Sequence, residues 1–152
     1  MEPTRRHQDA FQVAGISVRT TNREESTPDT ARIRGLWQRF FGEQTYASTP
    51  KRTADTRIFS VYSAYESDAD GAFDVMAGVA VSNGLDSANS VAIEAGDYLV
   101  FTGQGEMPQM VIAAWQRIWQ YFEAHPEVVR SYRSDFEAYE GPDKVSIHIG
   151  VS

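Results

Sequence analysis

One glutamate in an aromatic strand is the residue of this sequence with the strongest potential for chemistry. Glu137 lies in a short strand-like run, Phe136-Glu137-Ala138-Tyr139, although glutamate is depleted in strands. Because side chains alternate along a strand, Glu137 shares a face with Asp135 and Tyr139. If that face meets a helix layer, the carboxylate is buried among rings and needs a hydrogen-bonding or cationic partner. If the face is open to solvent, Glu137 is an ordinary surface charge.

Three tryptophans at helical positions could form a binding surface beside this glutamate. Trp115 and Trp119 are four residues apart and share a helix face, and Trp37 lies on another predicted helix. Such rings are more often core residues than ligand contacts, but a buried indole N–H needs a hydrogen-bond partner. A crevice between the two helices, floored by Tyr62, Tyr139 and Glu137, would suit a flat organic cation through cation–π attraction and charge.

Other motifs for catalysis, nucleotide binding or metal binding are weak. Gly103-Gln104-Gly105 resembles part of a dinucleotide-binding loop, but the third glycine is missing and the flanking order is not a parallel βαβ unit. The sequence has no cysteine, which excludes cysteine nucleophiles and thiolate metal sites, and it has no Gly-x-Ser-x-Gly elbow of the kind that serine hydrolases use. Its histidines are scattered singly: His7, His125 and His148. We therefore predict no metal site, no cofactor and no assigned catalytic residue.

The composition favours cationic partners over phosphates and membranes. The 152 residues carry 14 Lys+Arg against 21 Asp+Glu, a net charge of −7. Nucleic acids and anionic membranes attract basic surfaces, so we expect neither as a direct partner. No apolar run approaches the roughly 18 residues that span a bilayer, and the charged start of the chain does not resemble a secretory signal. We expect a cytoplasmic protein.

The first half of the chain predicts a strand, a helix and a hairpin. Residues 1–10 suggest a flexible arm, and residues 11–20 read as a strand. Thr27 and Pro28 are typical of a helix start, and apolar residues from 33 to 41 have helical spacing. Two strand-like segments, 57–65 and 73–81, follow across a turn.

The second half repeats this order. A strand is predicted at 91–102, with a bulge or kink at Gly96-Asp97, and a helix after Pro108. A short strand at 135–139 and a last strand at 145–151 follow an irregular segment or short helical turn at 128–134. Local matches support a duplication: Leu36–Phe41 aligns with Ala114–Trp119, and Phe59–Tyr62 aligns with Phe136–Tyr139.

The predicted fold is therefore α+β. It consists of two tandem strand-helix-strand-strand units, about 11–82 and 91–151, within one domain of residues 11–152. Pseudo-two-fold symmetry would relate the units, and two main helices would cover one face of an antiparallel sheet. In the internal alignment Ser60 takes the place of Glu137, so a pocket on the axis would carry one carboxylate.

Four segments together resemble a known family. They are Ala95–Gly105, the helix with Trp115–Trp119, Asp135–Tyr139 and Val145–Val151. Their order is similar to that of the GyrI-like effector-binding domains of AraC-type and MerR-type bacterial transcription activators. The chain also resembles stand-alone effector-binding proteins encoded on integron cassettes.

The resemblance implies a function and a site. It implies that a cleft between the halves binds small molecules, often cationic and lipophilic, and that Glu137 is the pocket glutamate. Aromatic candidates follow from position only. The full set of candidate ligand-binding residues is Glu137, Tyr139, Trp115, Trp119, Trp37, Tyr98, Tyr62 and Phe40.

Three functions agree with the sequence. The leading one is a stand-alone binding protein for cationic amphipathic or aromatic compounds, which serves drug sensing or transcriptional regulation. We expect this length to leave no room for a DNA-binding domain, so a separate DNA-binding or other protein partner is implied. The second is a hydrolase of small electrophiles that uses Glu137, with Tyr139 or Tyr98 as proton donor. The third is a protein-interaction inhibitor of the gyrase-inhibitor type.

Overall fold

The chain forms a single antiparallel sheet with helices on one side, as a computed structural model shows. The structure describes residues 3–27, 29–42, 57–67, 71–82, 90–106, 109–141 and 143–151. The strands are β1 (Thr4–Gln8), β2 (Phe11–Thr20), β3 (Ile58–Ser63), β4 (Phe73–Val81), β5 (Ser90–Ile93), β6 (Gly96–Gln104), β7 (Arg130–Gly141) and β8 (Lys144–Val151). The helices are α1 (Asn22–Glu25), α2 (Ile33–Gly42) and α3 (Gln109–Ala124). The predicted α+β class is confirmed.

The strand order shows the duplication. The sheet runs β1-β6-β8-β7-β3-β4-β2-β5. This order reads the same from either end when β2, β3 and β4 are matched with β6, β7 and β8, and β1 with β5. The predicted pseudo-two-fold symmetry is therefore confirmed, and its axis passes between β3 and β7.

The register of the two central strands locates this axis. Ser60 lies directly opposite Glu137, and these are also the residues that the internal sequence match aligns. The same match relates Tyr62 to Tyr139. The axis therefore passes through the Ser60–Glu137 pair, with one tyrosine on each side of it.

The sheet curls onto one of its faces. β5 is the last strand at one edge and β6 is the second at the other, yet only Glu94 and Ala95 separate them. Phe11 on β2 contacts Phe136 on β7 with ring centroids 5.5 Å apart. Those strands are three positions apart in the sheet, which would be roughly 14 Å if it were flat. The inner face is thus a closed aromatic core that includes Phe59.

The two longer helices cover the outer face, one on each half. Leu36 and Phe40 pack α2 on β2 and β4, whereas Ala114 and Ile118 pack α3 on β6 and β8. Because each helix contacts mainly the lateral strands of its own half, the central strands β3 and β7 lie in a cleft between the helices. No helix in the described part of the chain is long and apolar enough to cross a membrane.

The flexible arm predicted at residues 1–10 is wrong for Thr4–Gln8. These residues form β1, which pairs with Gly96–Val100 of β6, and Arg5 forms an ion pair with Asp97 at 3.0 Å. The β1 residues are all polar and most of their side chains are exposed, so the segment shows no alternation of apolar and polar residues. A strand held mainly by backbone hydrogen bonds leaves little signal in a sequence.

Three further boundaries also differ from prediction. The segment 91–102 is split into β5 and β6, and β7 begins at Arg130, within the segment predicted to be irregular. Thr27 does not start α2. The helix begins at Ile33, where the Glu25 carboxylate accepts hydrogen bonds from the backbone N–H groups of Arg32 (2.8 Å) and Ile33 (3.2 Å). A cap supplied from eight residues away is not visible in local helix-start patterns. Pro28 lies outside the described residues.

Candidate functional site

Glu137 lies in the cleft between α2 and α3 and is only 3% exposed. Its Oε2 accepts hydrogen bonds from the Tyr62 hydroxyl at 2.9 Å and from the Trp115 indole N–H at 2.5 Å. Its Oε1 accepts one from the Tyr139 hydroxyl at 2.5 Å. The structure therefore excludes the alternative that Glu137 is an ordinary surface charge.

The three donors come from both halves of the fold. Tyr62 on β3 and Tyr139 on β7 are equivalent under the pseudo-symmetry, and both reach the one carboxylate on the axis. Trp115 comes from α3. Its counterpart on α2, Trp37, contacts the Tyr139 ring edge-on at 5.8 Å. Equivalent tyrosines of the two halves therefore donate to a single carboxylate that only the second half supplies.

The electrostatics of Glu137 are those of a buried acid with neutral partners. Burial raises its pKa above the usual value, while the hydrogen bonds from Tyr139, Trp115 and Tyr62 act in the opposite direction. Burial and then the Glu137 charge raise the pKa of both Tyr62 and Tyr139 well above 10. Among the described residues, the ion pairs of Lys, Arg and His involve other acids.

A second buried acid, Asp135, provides a contrast on the same face of β7. Asp135 is 0% exposed, but Arg130 forms an ion pair with it at 2.8 Å. The Tyr65 hydroxyl (2.5 Å) and the Gly150 N–H (2.8 Å) also donate to it. Of these two acids, only Glu137 has no cationic side chain as a partner within the described chain. Arg130 was not among the predicted site residues, because residues 128–134 were predicted to be irregular or a short helical turn.

Each helix carries an aromatic pair that extends from the acid toward solvent. Trp37 stacks on Phe41 with centroids 5.8 Å apart, and Trp115 lies 6.1 Å from Trp119. The outer members are half-exposed, Phe41 at 52% and Trp119 at 49%. Tyr62 completes the wall by an edge contact with Trp115 at 5.5 Å. Phe41 was not among the candidates, although its spacing from Trp37 and its alignment with Trp119 were available signals.

Two predicted candidates lie away from Glu137. Phe40 is 0% exposed and packs in the core beneath α2, because it points at the sheet and not along the cleft. Tyr98 packs against Phe136 on the inner face, and its hydroxyl donates to the Glu94 carbonyl at 2.6 Å. Strand alternation places Tyr98 opposite to Leu99, which faces the helices.

His148 and the acidic residues show no metal-binding arrangement in the part of the chain described. His148 stacks on Phe136 with centroids 4.2 Å apart, and burial lowers its pKa to about 4, helped by the charges of Arg57 and Arg6. No group of three or more His, Cys, Asp or Glu residues there could hold a metal ion.

Comparison with known proteins supports the fold along nearly the whole chain. The integron cassette protein VCH_CASS2 from Vibrio cholerae is 35% identical, with a TM-score of 0.82 over 99% of this chain and 96% of that one. SAV2435, solved bound to tetraphenylphosphonium, is 21% identical, with a TM-score of 0.79 over 100% and 94% of the two chains. At that lower identity the likeness shows the fold alone.

Sequence comparison identifies the family. YobU of Bacillus subtilis (strain 168), whose name assigns it to the transcriptional regulators, is 28% identical over 154 residues, 96% of this chain and 94% of YobU. Residues 6–151 match the family Cass2, described as integron-associated effector binding protein. The chain therefore belongs to the Cass2 family of integron-associated effector-binding proteins.

Proposed function

We propose that this protein binds lipophilic organic cations in the cleft between α2 and α3, with Glu137 as the counter-charge. One observation carries the proposal: a buried carboxylate held by three neutral donors, with no cationic side chain as a partner among the described residues. A buried charge without a counter-ion is costly. A bound cation would supply the missing charge where the low dielectric strengthens attraction.

The aromatic walls support a cation that is also apolar. Trp115, Tyr62 and Tyr139 contact the acid, and Trp37 packs against Tyr139. The faces of such rings attract cations. The outer rings of Phe41 and Trp119 offer apolar surface at the rim of the cleft. Membership of an effector-binding family agrees with a small-molecule ligand. The tetraphenylphosphonium bound to SAV2435 is an aryl cation held by a protein of the same fold.

Replacement of the carboxylate tests the proposal. Glu137→Gln keeps the shape and an acceptor oxygen but removes the charge, so the affinity for tetraphenylphosphonium should fall about 30-fold or more. Affinity for triphenylphosphine oxide, a neutral aryl compound, should change by less than about threefold, since no charge pair is lost. Titration calorimetry measures both. The matched control is Glu140→Gln, an exposed acid of the same strand that pairs with Lys144.

The pH dependence provides a second readout for the same carboxylate. Because burial raises the pKa of Glu137 above its usual 4.5, wild-type affinity for the cation should weaken as pH falls through a value above 4.5. The Glu137→Gln variant should lack this step. Equal cation affinity in the variant and in the wild type, or a wild-type affinity that stays flat down to pH 4, would contradict the electrostatic basis of the proposal.

Binding without turnover is the function that the site favours over hydrolysis. A general acid works best with a pKa near the working pH, whereas the pKa values of Tyr62 and Tyr139 are moved further from neutrality. The raised pKa of Glu137 would still suit a general base. Incubation with an aryl epoxide separates the two: loss of epoxide that depends on Glu137 and exceeds one equivalent of protein would establish a hydrolase.

We further propose that the protein acts in the cytoplasm and passes ligand binding to a separate protein. YobU, a relative along nearly the whole chain, carries the name of a transcriptional regulator. A pull-down with and without tetraphenylphosphonium tests this. A partner whose capture depends on the cation and on Glu137 supports sensing. A stoichiometric partner that is indifferent to both supports the inhibitor alternative instead.

A further inference from the structure

Ser60 occupies the position across the pseudo-two-fold axis from Glu137. The two residues are directly opposed in the β3–β7 pair, where Cβ atoms on one face are about 4.5–5.5 Å apart. Ser60 is 0% exposed. It lies on the same face as Tyr62, two residues later in β3. The Ser60 hydroxyl is therefore in the floor of the same cleft as the carboxylate.

This hydroxyl has unused hydrogen-bonding capacity. Ser60 Oγ forms no hydrogen bond with any described residue. The nearby Tyr62 hydroxyl cannot donate to it, because its one proton is directed to Glu137 Oε2 at 2.9 Å. The lone pairs of Ser60 Oγ thus have no donor in the described structure.

Two different hydrogen-bond acceptors, the Glu137 carboxylate and the Ser60 hydroxyl, therefore lie next to each other at the pseudo-two-fold axis. Glu137 supplies charge, and Ser60, its register partner on the neighbouring strand, supplies a neutral acceptor oxygen on the same face of the sheet. A buried acceptor left without a donor is unfavourable, so a ligand that brings a donor to this point gains more than one that does not. A protonated amine has an N–H bond to direct there. A quaternary ammonium or a phosphonium ion has none.

We infer that Ser60 is a specificity-determining residue that accepts a hydrogen bond from the N–H of a protonated lipophilic amine held by Glu137. The inference rests on the proposed cation-binding function and names the preferred ligand class within it. Cations of equal size and charge that lack an N–H bind without this contact. The serine thus sets a preference for protonated amines over fully alkylated cations.

A pair of matched ligands tests this inference. The diphenylpropyl dimethylammonium ion and the diphenylpropyl trimethylammonium ion share charge and aromatic groups, but only the first has an N–H bond. At pH 7, Ser60→Ala should weaken binding of the first by about tenfold and leave the second within about twofold. Ser63→Ala, on the opposite face of β3, is the control and should change neither. Because Ser60→Ala removes a hydroxyl without a donor, its melting temperature should stay at or above that of the wild type.

The outcomes separate this inference from the proposed function. If Ser60→Ala changes both affinities equally, or changes neither, the inference is overturned while the cation site stands, provided that Glu137→Gln weakens both ligands. If neither ion binds the wild-type protein, the proposed function is wrong and the Ser60 inference falls with it.

Discussion

At the residue scale, the buried and ionised side chain of Glu137 lowers the stability of the folded protein. Burial raises its pKa, so the folded state binds the proton more tightly than the unfolded chain does. The stabilisation that this tighter proton binding gives is fully present below the pKa of the unfolded chain, near 4.5. It is lost as pH rises through the pKa of the folded protein. At neutral pH the folded protein therefore bears the free-energy cost of a buried charge.

The Glu137→Gln variant should therefore be more stable than the wild type at pH 7. The gain should be about 0.5–2 kcal/mol, because an amide avoids the desolvation of a charge. It should shrink as pH falls toward 4.5, where the wild-type carboxyl becomes protonated in both states. Urea unfolding at a series of pH values measures the difference. A variant that is less stable at every pH would show that the three hydrogen bonds outweigh the desolvation of the charge.

At the element scale, β2 and β4 approach so closely at one point that only glycine fits. Gly15 is paired with Gly78 in the register of these strands. A Cβ atom on Gly15 would lie 1.9 Å from the Ala77 carbonyl oxygen, and one on Gly78 would lie 2.4 Å from the Ala14 oxygen. Both obstacles are backbone atoms, which cannot rotate away. The two glycines therefore allow the close pairing of β2 and β4, the strands on which α2 packs.

Alanine at the close approach and alanine in α2 should have opposite effects. Gly15→Ala should destabilise the protein by about 2 kcal/mol or more, because the strands must separate to admit the methyl group. Gly35→Ala should stabilise it by about 0.5–1 kcal/mol, since nothing lies within 4 Å of a Cβ atom there and alanine favours helix. Chemical denaturation compares them. Similar stability changes in the two variants would refute the steric account.

At the scale of the whole molecule, the two halves exchange their edge strands. β1 precedes the first repeat but pairs with β6 of the second, and β5 precedes the second repeat but pairs with β2 of the first. Each half therefore completes the sheet of the other. This exchange ties together the two sheet halves on which α2 and α3 rest, and so supports the cleft between the helices.

Removal of residues 1–8 should weaken the whole domain, not only its end. The five residue pairs between β1 and β6 would be lost, at a cost of about 2–4 kcal/mol. The uncovered edge of β6 should also promote self-association, which size-exclusion chromatography detects. As a control, Arg5→Ala removes an exposed ion pair with Asp97 and should cost less than about 1 kcal/mol. Unchanged stability after the deletion would mean that β1 is dispensable.

Local patterns in the sequence determined the elements and their repetition. The helical spacing from 33 to 41, the strand-like runs and the two short internal matches were sufficient to predict tandem units with pseudo-two-fold symmetry. Such signals depend on neighbours within a few residues. The same locality explains the failure at β1, whose exposed side chains carry no pattern and whose partner strand lies about 90 residues away.

For the site, the sequence determined the presence and the face of Glu137, and tertiary structure decided its chemistry. Strand alternation alone placed Glu137 and Tyr139 together. Only the folded chain decided that this face is buried, that Trp115 donates to the acid and that Arg130 pairs with Asp135. It also decided that Ser60 Oγ accepts no hydrogen bond from the residues that the structure describes. Burial, charge pairing and hydrogen bonding at the cleft depend on residues distant in sequence. No local pattern encodes them, and they decide which buried carboxylate has a cationic side chain as its partner and which has only neutral donors.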